Sequence, residues 1–341
     1  MGGRPVIQAV IVGCGNIAAR YASDLLTADT VDLVGFYDVD QTRAVEFAER
    51  FGGEAFESLE NAIDAAQLVL NLTIFEAHYP VSKAALSRSR HVYSEKPLAL
   101  QFDEAKELAG LAQVNGVRLG AAPFTFLGEA QATAIHWVRA GRLGEVRLVY
   151  AEVNHGRIET WHPNPAPFYD VGPMLDVGVY PLALLIDVFG PVSWLQAVST
   201  TIQADRVTLD GNVYTPGSPD YWLVHLEHHN GVKVRLTVNF YVKGDEGIVF
   251  HGDDGSLRLE SWFVPNAGVW HTPYEGEEEP VTVQGGGDEV DWSVGVASFV
   301  DGIEAIDPGP LNADRAVHMT AVLDAITRSG ASGEPVVVDT D

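Results

Sequence analysis

The sequence predicts an α/β protein built from two parts: a parallel sheet flanked by helices, then an α+β part with an open, mostly antiparallel sheet. Up to about residue 121, short apolar strands alternate with helix-length segments, as in a doubly wound parallel sheet. Beyond that point, alternating strands follow one another through tight turns, as in antiparallel hairpins. A chain of 341 residues suits two domains, which we place at residues 1–121 and 122–341.

The charge balance limits the classes of partner. The chain carries 21 Lys and Arg residues against 47 Asp and Glu residues, a net charge of −26. Nucleic acids and anionic membrane surfaces both require a cationic footprint, so we expect neither as a partner. The sequence contains no run of about 20 uninterrupted apolar residues, so we expect no membrane-spanning helix.

The cysteine and histidine content argues against a metal site. Cys14 alone cannot form an intrachain disulfide or a cysteine-based metal site. The pair His228-His229 precedes a turn and fits the edge of a hairpin better than a zinc pair, so we expect no metal. The N-terminal segment has no signal-peptide layout, and we therefore expect a cytoplasmic protein.

A nucleotide-binding pattern opens the chain. Residues 6–12 predict a buried parallel strand, and a helical segment, 16–28, follows the turn Gly13-Cys14-Gly15-Asn16-Ile17-Ala18. In a Gly-x-Gly-x-x-Ala turn, the first glycine allows the tight bend and the second lets a pyrophosphate approach the backbone. The alanine permits close helix–strand packing. The helix N-terminus supplies unpaired N–H groups to the phosphates.

An acidic residue in the expected place favours NAD over NADP. A second strand, 31–37, ends at Asp38, 20 residues past Ala18. A carboxylate there accepts hydrogen bonds from the adenosine ribose hydroxyls and repels a 2′-phosphate. Arg43 lies one helical turn further on and is the one residue nearby that could reach such a phosphate.

The alternation continues, and the strand ends gather candidate site residues. The remaining predicted elements of this half are helices at 41–51, 78–88 and 102–115 and strands at 68–72, 91–94 and 117–121. Gly13, Asp38, Thr73 and Lys96 each follow a strand, so we expect them at one rim, where ligands of such sheets bind. For Thr73 a helix cap or turn residue is an equal alternative to cofactor contact. Lys96 stands just before Pro97, near the seam between the two halves.

The second half predicts a helix at 129–140, a strand at 146–153 and two hairpins. Strands 221–228 and 232–242 flank Asn230-Gly231, a two-residue hairpin signal, and 248–260 turns at Asp254-Gly255. We expect loops at 210–220 and 275–288, a helix at 312–328 and a short strand at 336–338.

The candidate chemistry of this half lies between residues 161 and 180. Asp176 and Tyr180 are four residues apart and share a face if a helix begins here. They are either a functional pair or a dipole-stabilised first-turn aspartate beside a packed tyrosine. His162, between Trp161 and Pro163, is either a loop anchor or a donor facing a sugar.

With these residues in place, the chain resembles the glucose–fructose oxidoreductase, inositol dehydrogenase and rhizopine-catabolism (Gfo/Idh/MocA) family over essentially its whole length. The resemblance is carried by the 13–18 turn, by Thr73 with His78, by His91-Val92-Tyr93-Ser94-Glu95-Lys96-Pro97, and by residues 172–180. Two positions depart from the pattern. Ile74 replaces the proline of many relatives, and Tyr180 replaces the histidine found in many members.

The resemblance implies a Rossmann domain, a nicotinamide cofactor and a sugar, polyol or related cyclic hydroxy substrate. Lys96, Asp176 and Tyr180 would be the catalytic residues, Tyr180 transferring the proton. Other residues implied are Gly13, Gly15, Asn16, Ile17, Asp38, Thr73, His78, Glu95 and Lys96 for the cofactor, and Lys96, Phe124, Trp161, His162, Asp176 and Tyr180 for the substrate. The family also implies a homodimer or homotetramer.

Two other functions use the same sequence features. A redox-neutral enzyme with a tightly bound, recycled NAD would oxidise a sugar transiently before elimination or epimerisation. A nucleotide-sensing or scaffold protein with a dead site would have no need of Lys96, Asp176 and Tyr180 together, and their joint presence speaks against it.

Overall fold

A computed structural model of the protein describes residues 6–28, 30–244, 246–303 and 305–338. Residues 1–5, on which the expectation of no signal peptide rests, lie outside this range. The helices are α1 (Asn16–Leu25), α2 (Gln41–Phe51), α3 (Leu59–Asp64), α4 (Phe75–Ser87), α5 (Phe102–Asn115), α6 (Glu129–Arg139), α7 (Ala166–Val171), α8 (Val179–Phe189), α9 (Ser293–Asp301) and α10 (Ala313–Ser332).

The strands form a parallel sheet, a mixed sheet and one small hairpin. They are β1 (Ile7–Val12), β2 (Val31–Tyr37), β3 (Glu54–Ala55), β4 (Leu68–Asn71), β5 (His91–Ser94), β6 (Leu119–Ala121), β7 (Val146–Asn154), β8 (Val192–Thr200), β9 (Arg206–Val207), β10 (Val213–Tyr214), β11 (Tyr221–His228), β12 (Lys233–Asn239), β13 (Gly247–Gly252), β14 (Gly255–Leu259), β15 (Val269–Pro273), β16 (Glu279–Pro280) and β17 (Val336–Val337). Among the described residues, no helix is both long and apolar enough to cross a membrane.

The chain divides into two compact units. Unit 1 comprises residues 1–124 and 291–320, and unit 2 comprises residues 125–290 and 321–341. The first boundary lies three residues beyond the one placed from sequence. The segment 291–320, assigned from sequence to the second domain, packs with unit 1 instead. Its contacts are made by α9 and the start of α10, which no local pattern linked to the first half.

Unit 1 is a six-stranded parallel sheet in the order β3-β2-β1-β4-β5-β6. This is the order of a dinucleotide-binding doubly wound sheet, with the crossover between β1 and β4. Apolar side chains of β1, β4, α4 and α5 fill one buried cluster, as the near-continuous hydrophobic strands require. The predicted strands and helices of this half are confirmed to within a few residues at their ends.

Unit 2 has a nine-stranded sheet in the order β16-β15-β14-β13-β7-β12-β11-β8-β17. All its pairings are antiparallel except that of β12 with β7, which is parallel. The sheet is therefore mixed and mostly antiparallel. Burial alternates along β11 and β12, so one face packs inward and the other is exposed.

Several local predictions for unit 2 need correction. The hairpin at Asn230-Gly231 forms, but its loop has three residues, because the His228 N–H donates to the carbonyl oxygen of Val232. Asn239, at the end of β12, departs from the alternation of exposed and buried residues: it is buried and donates to Asn154 Oδ1 at 2.6 Å. The predicted loops at 210–220 and 275–288 contain the two-residue strands β10 and β16. Strand β8 was not predicted.

Gly120 on β6 tests the packing of segment 291–320 within unit 1. A Cβ added there would lie 2.7 Å from Phe299 Cδ2 and would also meet the carbonyl oxygen of Leu311. We expect Gly120→Ala to lower the free energy of unfolding by about 1–3 kcal/mol, the usual cost of overpacking.

The matched control is Gly110→Ala in α5, where an added Cβ meets nothing within 4 Å. Replacing an unstrained helical glycine should raise stability by up to about 1 kcal/mol. Urea unfolding of both variants measures the difference. Equal stability of the two would contradict the packing of Phe299 and Leu311 against β6.

Candidate active site

The turn between β1 and α1 is shaped for a pyrophosphate. Gly13 has φ +94°, and a Cβ there would lie 2.7–2.8 Å from the backbone of Leu72 and Thr73. At Gly15 an added Cβ would meet nothing within 4 Å, so the backbone is open to a ligand. Gly15 is also the N-cap of α1 and offers no side-chain cap, which leaves the first N–H groups of α1 available. Asn16 and Ile17 are the first residues of this helix.

The Asp38 carboxylate is hydrogen-bonded to the backbone of this turn. Its Oδ2 accepts the backbone N–H of Cys14 at 2.7 Å, and its Oδ1 accepts the N–H of Asp40 at 2.8 Å. Each carboxylate oxygen keeps acceptor capacity for a ribose hydroxyl. Arg43, which could have served a 2′-phosphate, lies with its Nε 3.5 Å from Asp40 Oδ2. The residues present fit a nicotinamide dinucleotide.

Thr73 and His78 form the next part of the same rim. Thr73 does not cap α4, because α4 begins at Phe75 with Ile74 at its cap position; Thr73 lies in the bend between β4 and α4, which leaves the turn alternative open. The Thr73 hydroxyl donates instead to Asn71 Oδ1 at 2.7 Å. His78 is 1 % exposed, with Nδ1 2.7 Å from the Pro97 carbonyl oxygen and Nε2 3.1 Å from that of Thr73. It therefore joins two rim loops from the interior, away from the surface that a cofactor would contact.

Opposing effects act on the pKa of His78. Burial lowers the pKa, whereas the carbonyl contacts and the Glu95 carboxylate favour the charged ring. Both ring nitrogens face carbonyl oxygens, and a neutral ring has a single N–H, so both contacts are hydrogen bonds only when the ring is doubly protonated.

Glu95 and Lys96 follow β5, and both are 8 % exposed. Glu95 Oε1 accepts the Tyr21 hydroxyl at 2.8 Å, and its Oε2 accepts the Lys96 backbone N–H at 3.1 Å. Lys96 Nζ lies 5.7 Å from the centre of the Phe75 ring. The Lys96–Pro97 peptide bond is cis. The rim of unit 1 thus brings together Gly13, Gly15, Asp38, Thr73 and Lys96, as expected from their positions after strands.

Phe124 occupies a different position from the one expected. It is 3 % exposed and packs edge-on against Tyr21 and Trp292, with ring centres 6.4 and 5.6 Å apart. Such burial leaves almost no ring surface for a substrate. Phe124 instead packs against Tyr21 on α1, the helix that begins at the rim.

Asp176 and Tyr180 lie in unit 2, at the join of two kinds of helix. Asp176 belongs to a π-helical turn, Met174–Gly178, and Tyr180 to the first turn of α8. The helix assumed for the pairing of Asp176 with Tyr180 is present, but its first turn is π-helical and α8 begins only at Val179. Such π turns are rare and recur at functional sites. Both side chains are partly exposed.

Two aromatic residues that the sequence reasoning missed orient Tyr180. Its ring stacks on Trp262, with centres 5.3 Å apart and planes at 19°, and meets Phe263 edge-on at 5.3 Å. Trp262 and Phe263 follow β14. The only feature of the sequence that marks them is that two aromatic residues stand side by side.

Trp161 and His162 form an aromatic group in unit 2. Trp161 is 53 % exposed, and its ring centre lies 5.4 Å from His162 and 6.2 Å from His155. His162 Nδ1 accepts the Asn164 N–H at 3.1 Å, as the loop-anchor alternative expects. The exposed Trp161 indole remains available to a ligand.

A buried ionic cluster precedes this group in the fold, and the sequence analysis did not predict it. The fully buried Arg206 donates to Glu159 Oε1 at 3.0 Å, to the Tyr169 hydroxyl at 2.7 Å and to Asp220. Burial raises the pKa of Tyr169, so its hydroxyl stays protonated and donates to Glu159 at 2.5 Å. Glu159 stands two residues before Trp161, and the cluster fixes the start of that loop.

The fold and the rim define a dinucleotide-binding architecture, and similarity to known proteins supplies the family. Residues 7–122 match the model of an oxidoreductase family with an NAD-binding Rossmann fold, and residues 132–258 match the GFO/IDH/MocA C-terminal domain. The chain belongs to the Gfo/Idh/MocA family of sugar oxidoreductases.

Three relatives illustrate the range of the family. A dTDP-3,4-didehydro-2,6-dideoxy-α-D-glucose 3-reductase from Streptomyces antibioticus is 31% identical over 272 residues, 76% of this chain and 77% of that protein. A UDP-N-acetylglucosamine 3-dehydrogenase from Acidithiobacillus ferrooxidans is 25% identical over 203 residues, 58% and 60% of the two chains. A Bordetella pertussis dehydrogenase, solved with NADH and UDP-GlcNAcA, superimposes with TM-score 0.79 at 19% identity, covering 98% and 100%.

The Cys14 thiol gives a direct test of the rim geometry. Burial, with the Asp38 carboxylate adding to it, raises the pKa of Cys14 to about 12. Because the thiolate is the reactive form, we expect disulfide reagents at pH 8 to modify the folded protein at least about a hundredfold more slowly than the unfolded chain.

Ellman's reagent, with and without guanidinium chloride, measures the two rates. The Cys14→Ser variant is the blank, since the chain has no other cysteine. Equal rates for folded and unfolded protein would contradict the buried position of Cys14.

Proposed function

We propose that this protein transfers a hydride between a nicotinamide dinucleotide and the carbinol or carbonyl carbon of a sugar, polyol or related cyclic hydroxy compound. The observation that carries the proposal is the open Gly13–Gly15 turn, bonded to Asp38 at the same sheet edge as Lys96. The bound dinucleotide would supply the hydride acceptor or donor; the residues of the chain bind, orient and move the proton.

The dinucleotide contacts follow from the rim. Gly13, Gly15, Asn16 and Ile17 would hold the pyrophosphate at the N-terminus of α1, and Asp38 would accept the adenosine ribose hydroxyls. NAD is the preferred cofactor in this proposal. Its support is the negative charge of Asp38 and the pairing of Arg43 with Asp40.

Lys96, Asp176 and Tyr180 would share the acid–base work. A free tyrosine has a pKa of about 10, too high for a base near neutrality. A nearby ammonium stabilises phenolate, whereas a carboxylate opposes it unless its charge is matched, so we propose that Lys96 and Asp176 offset each other. Proton transfer of this kind supplies about 10²–10⁴-fold. The joint role of the three rests on the family motifs, since they belong to two units.

We propose a hexose derivative as the substrate. The names of the two curated relatives place their reactions at C3 of a hexose carried on a nucleotide. The exposed Trp161 indole, with His162 beside it, supports a subsite that packs against an apolar face of a sugar ring. We propose a C3 hydroxyl as the reacting group. We also propose a homodimer or homotetramer, formed through the exposed face of the nine-stranded sheet.

Turnover should depend on Lys96. With NAD and a panel of hexoses, sugar phosphates and nucleotide sugars, we expect NADH absorbance to grow with one sugar class. Lys96→Ala should lower kcat by at least about 10²-fold, because acid–base assistance is lost, while the Kd of NAD changes little.

The control for this experiment is Lys106→Ala, an exposed lysine on α5 of the same unit. A near-normal kcat in Lys96→Ala would contradict the catalytic role proposed for Lys96. Consumption of the sugar without NADH release would favour the redox-neutral alternative with a recycled cofactor.

The choice of cofactor should depend on Asp38. Asp38→Asn removes the charge but keeps an oxygen for the Cys14 N–H. We expect the ratio of kcat/KM for NAD to that for NADP to fall at least tenfold, about 1.4 kcal/mol, because a 2′-phosphate is no longer repelled. Asp32 is an exposed aspartate on β2, the strand that precedes Asp38, and Asp32→Asn should leave the ratio unchanged. An unchanged ratio in Asp38→Asn would show that another residue sets the preference.

A further inference from the structure

Tyr21 is a buried polar residue that the proposed mechanism does not use. It lies on α1, the helix whose N-terminus follows the Gly13–Gly15 turn, and it is fully buried. Its ring packs against Tyr93, Phe124 and Trp292, with ring centres 6.2, 6.4 and 5.3 Å away. A phenylalanine would make the same ring contacts, so the hydroxyl calls for an explanation of its own.

The hydroxyl contacts the residue next to Lys96. Tyr21 Oη donates to Glu95 Oε1 at 2.8 Å, and the Lys96 backbone N–H donates to Glu95 Oε2 at 3.1 Å. Each oxygen of this buried carboxylate therefore has a donor, one from α1 and one from the Lys96 backbone. Because both oxygens are held, the carboxylate cannot rotate without breaking a hydrogen bond to a charged acceptor.

The surroundings keep Tyr21 a donor. Burial, followed by the Glu95 and Tyr93 neighbours, raises the pKa of Tyr21 well above its ordinary value. The hydroxyl thus stays protonated at any working pH. Tyr93 Oη lies 3.5 Å away, at the limit of hydrogen bonding, so Glu95 is the principal acceptor.

We propose that Tyr21 is a positioning residue that links the pyrophosphate-binding helix α1, through the Glu95 carboxylate, to the backbone of Lys96. This inference rests on the proposed function for Lys96 and adds a residue to it. The link explains why a carboxylate is buried beside a site lysine: it fixes the main chain from which the Lys96 side chain extends. The position of the ammonium would then depend on the helix that holds the cofactor.

The test compares Tyr21→Phe, Glu95→Gln and the double variant with the parent protein. We expect Tyr21→Phe to lower kcat about tenfold with the Kd of NAD changed less than twofold. If Tyr21 acts through Glu95, the double variant should lose no more kcat than Glu95→Gln alone, a non-additive cycle. A purely structural tyrosine would instead raise the Kd of NAD and lower Tm together.

The matched control is Tyr79→Phe on α4 of the same unit. It removes a hydroxyl that donates to Glu107 on α5 and accepts from Lys83 on α4. It should leave kcat unchanged. Three outcomes would overturn the proposal: a parental kcat in Tyr21→Phe, additive losses in the double variant, or loss of fold and NAD binding in Tyr21→Phe.

The Lys96→Ala variant separates this inference from the function itself. If Lys96→Ala is inactive and Tyr21→Phe is fully active, only the role of Tyr21 fails. If Lys96→Ala is active, the proposed function fails, and the positioning role fails with it.

Discussion

The close approach of three strand ends at Gly13 is the constraint on which the cofactor half depends. The Gly13 N–H donates to the Tyr37 carbonyl oxygen at 2.8 Å, while the backbone of Leu72 and Thr73 lies where a Cβ would be. A side chain at Gly13 would push the end of β1 away from the residues that follow β4. Because Asp38 and Thr73 follow β2 and β4, the same approach sets their distance from the phosphate turn.

Polar side chains that are satisfied within unit 1 stabilise this edge. The buried Asn71 donates to the His78 carbonyl oxygen and to Ser82 Oγ, both at 2.9 Å, and accepts from Thr73. His78 then joins Thr73 to Pro97. An unsatisfied buried polar group costs about 1–3 kcal/mol, so each of these contacts restricts the loops to one arrangement. Lys96 belongs to the last loop in this series.

Unit 2 uses a buried charge cluster for a comparable purpose. Arg206 has two carboxylate partners, Glu159 and Asp220, and a guanidinium matches such partners better than an ammonium would. Removing one member of a buried cluster leaves an uncompensated charge and is strongly destabilising. The cluster therefore holds the segment before Trp161 in place, whereas Tyr180 is oriented by aromatic stacking on Trp262. The proposed substrate contacts thus depend on residues far apart in the chain.

The sequence by itself determined the parallel-sheet half and its rim, because strand–helix alternation is local and the carboxyl ends of parallel strands meet at one edge. Gly13, Asp38, Thr73 and Lys96 were placed correctly on that reasoning. Tertiary structure decided what depends on contacts between distant segments. It assigned residues 291–320 to unit 1, paired β12 in parallel with β7, turned Phe124 inward and placed Asp176 in a π turn. It also paired Tyr21 with Glu95, 74 residues away, and Arg206 with Glu159. Such partners leave no periodic signal in the chain, since a buried hydrogen bond specifies two atoms and not a repeating pattern.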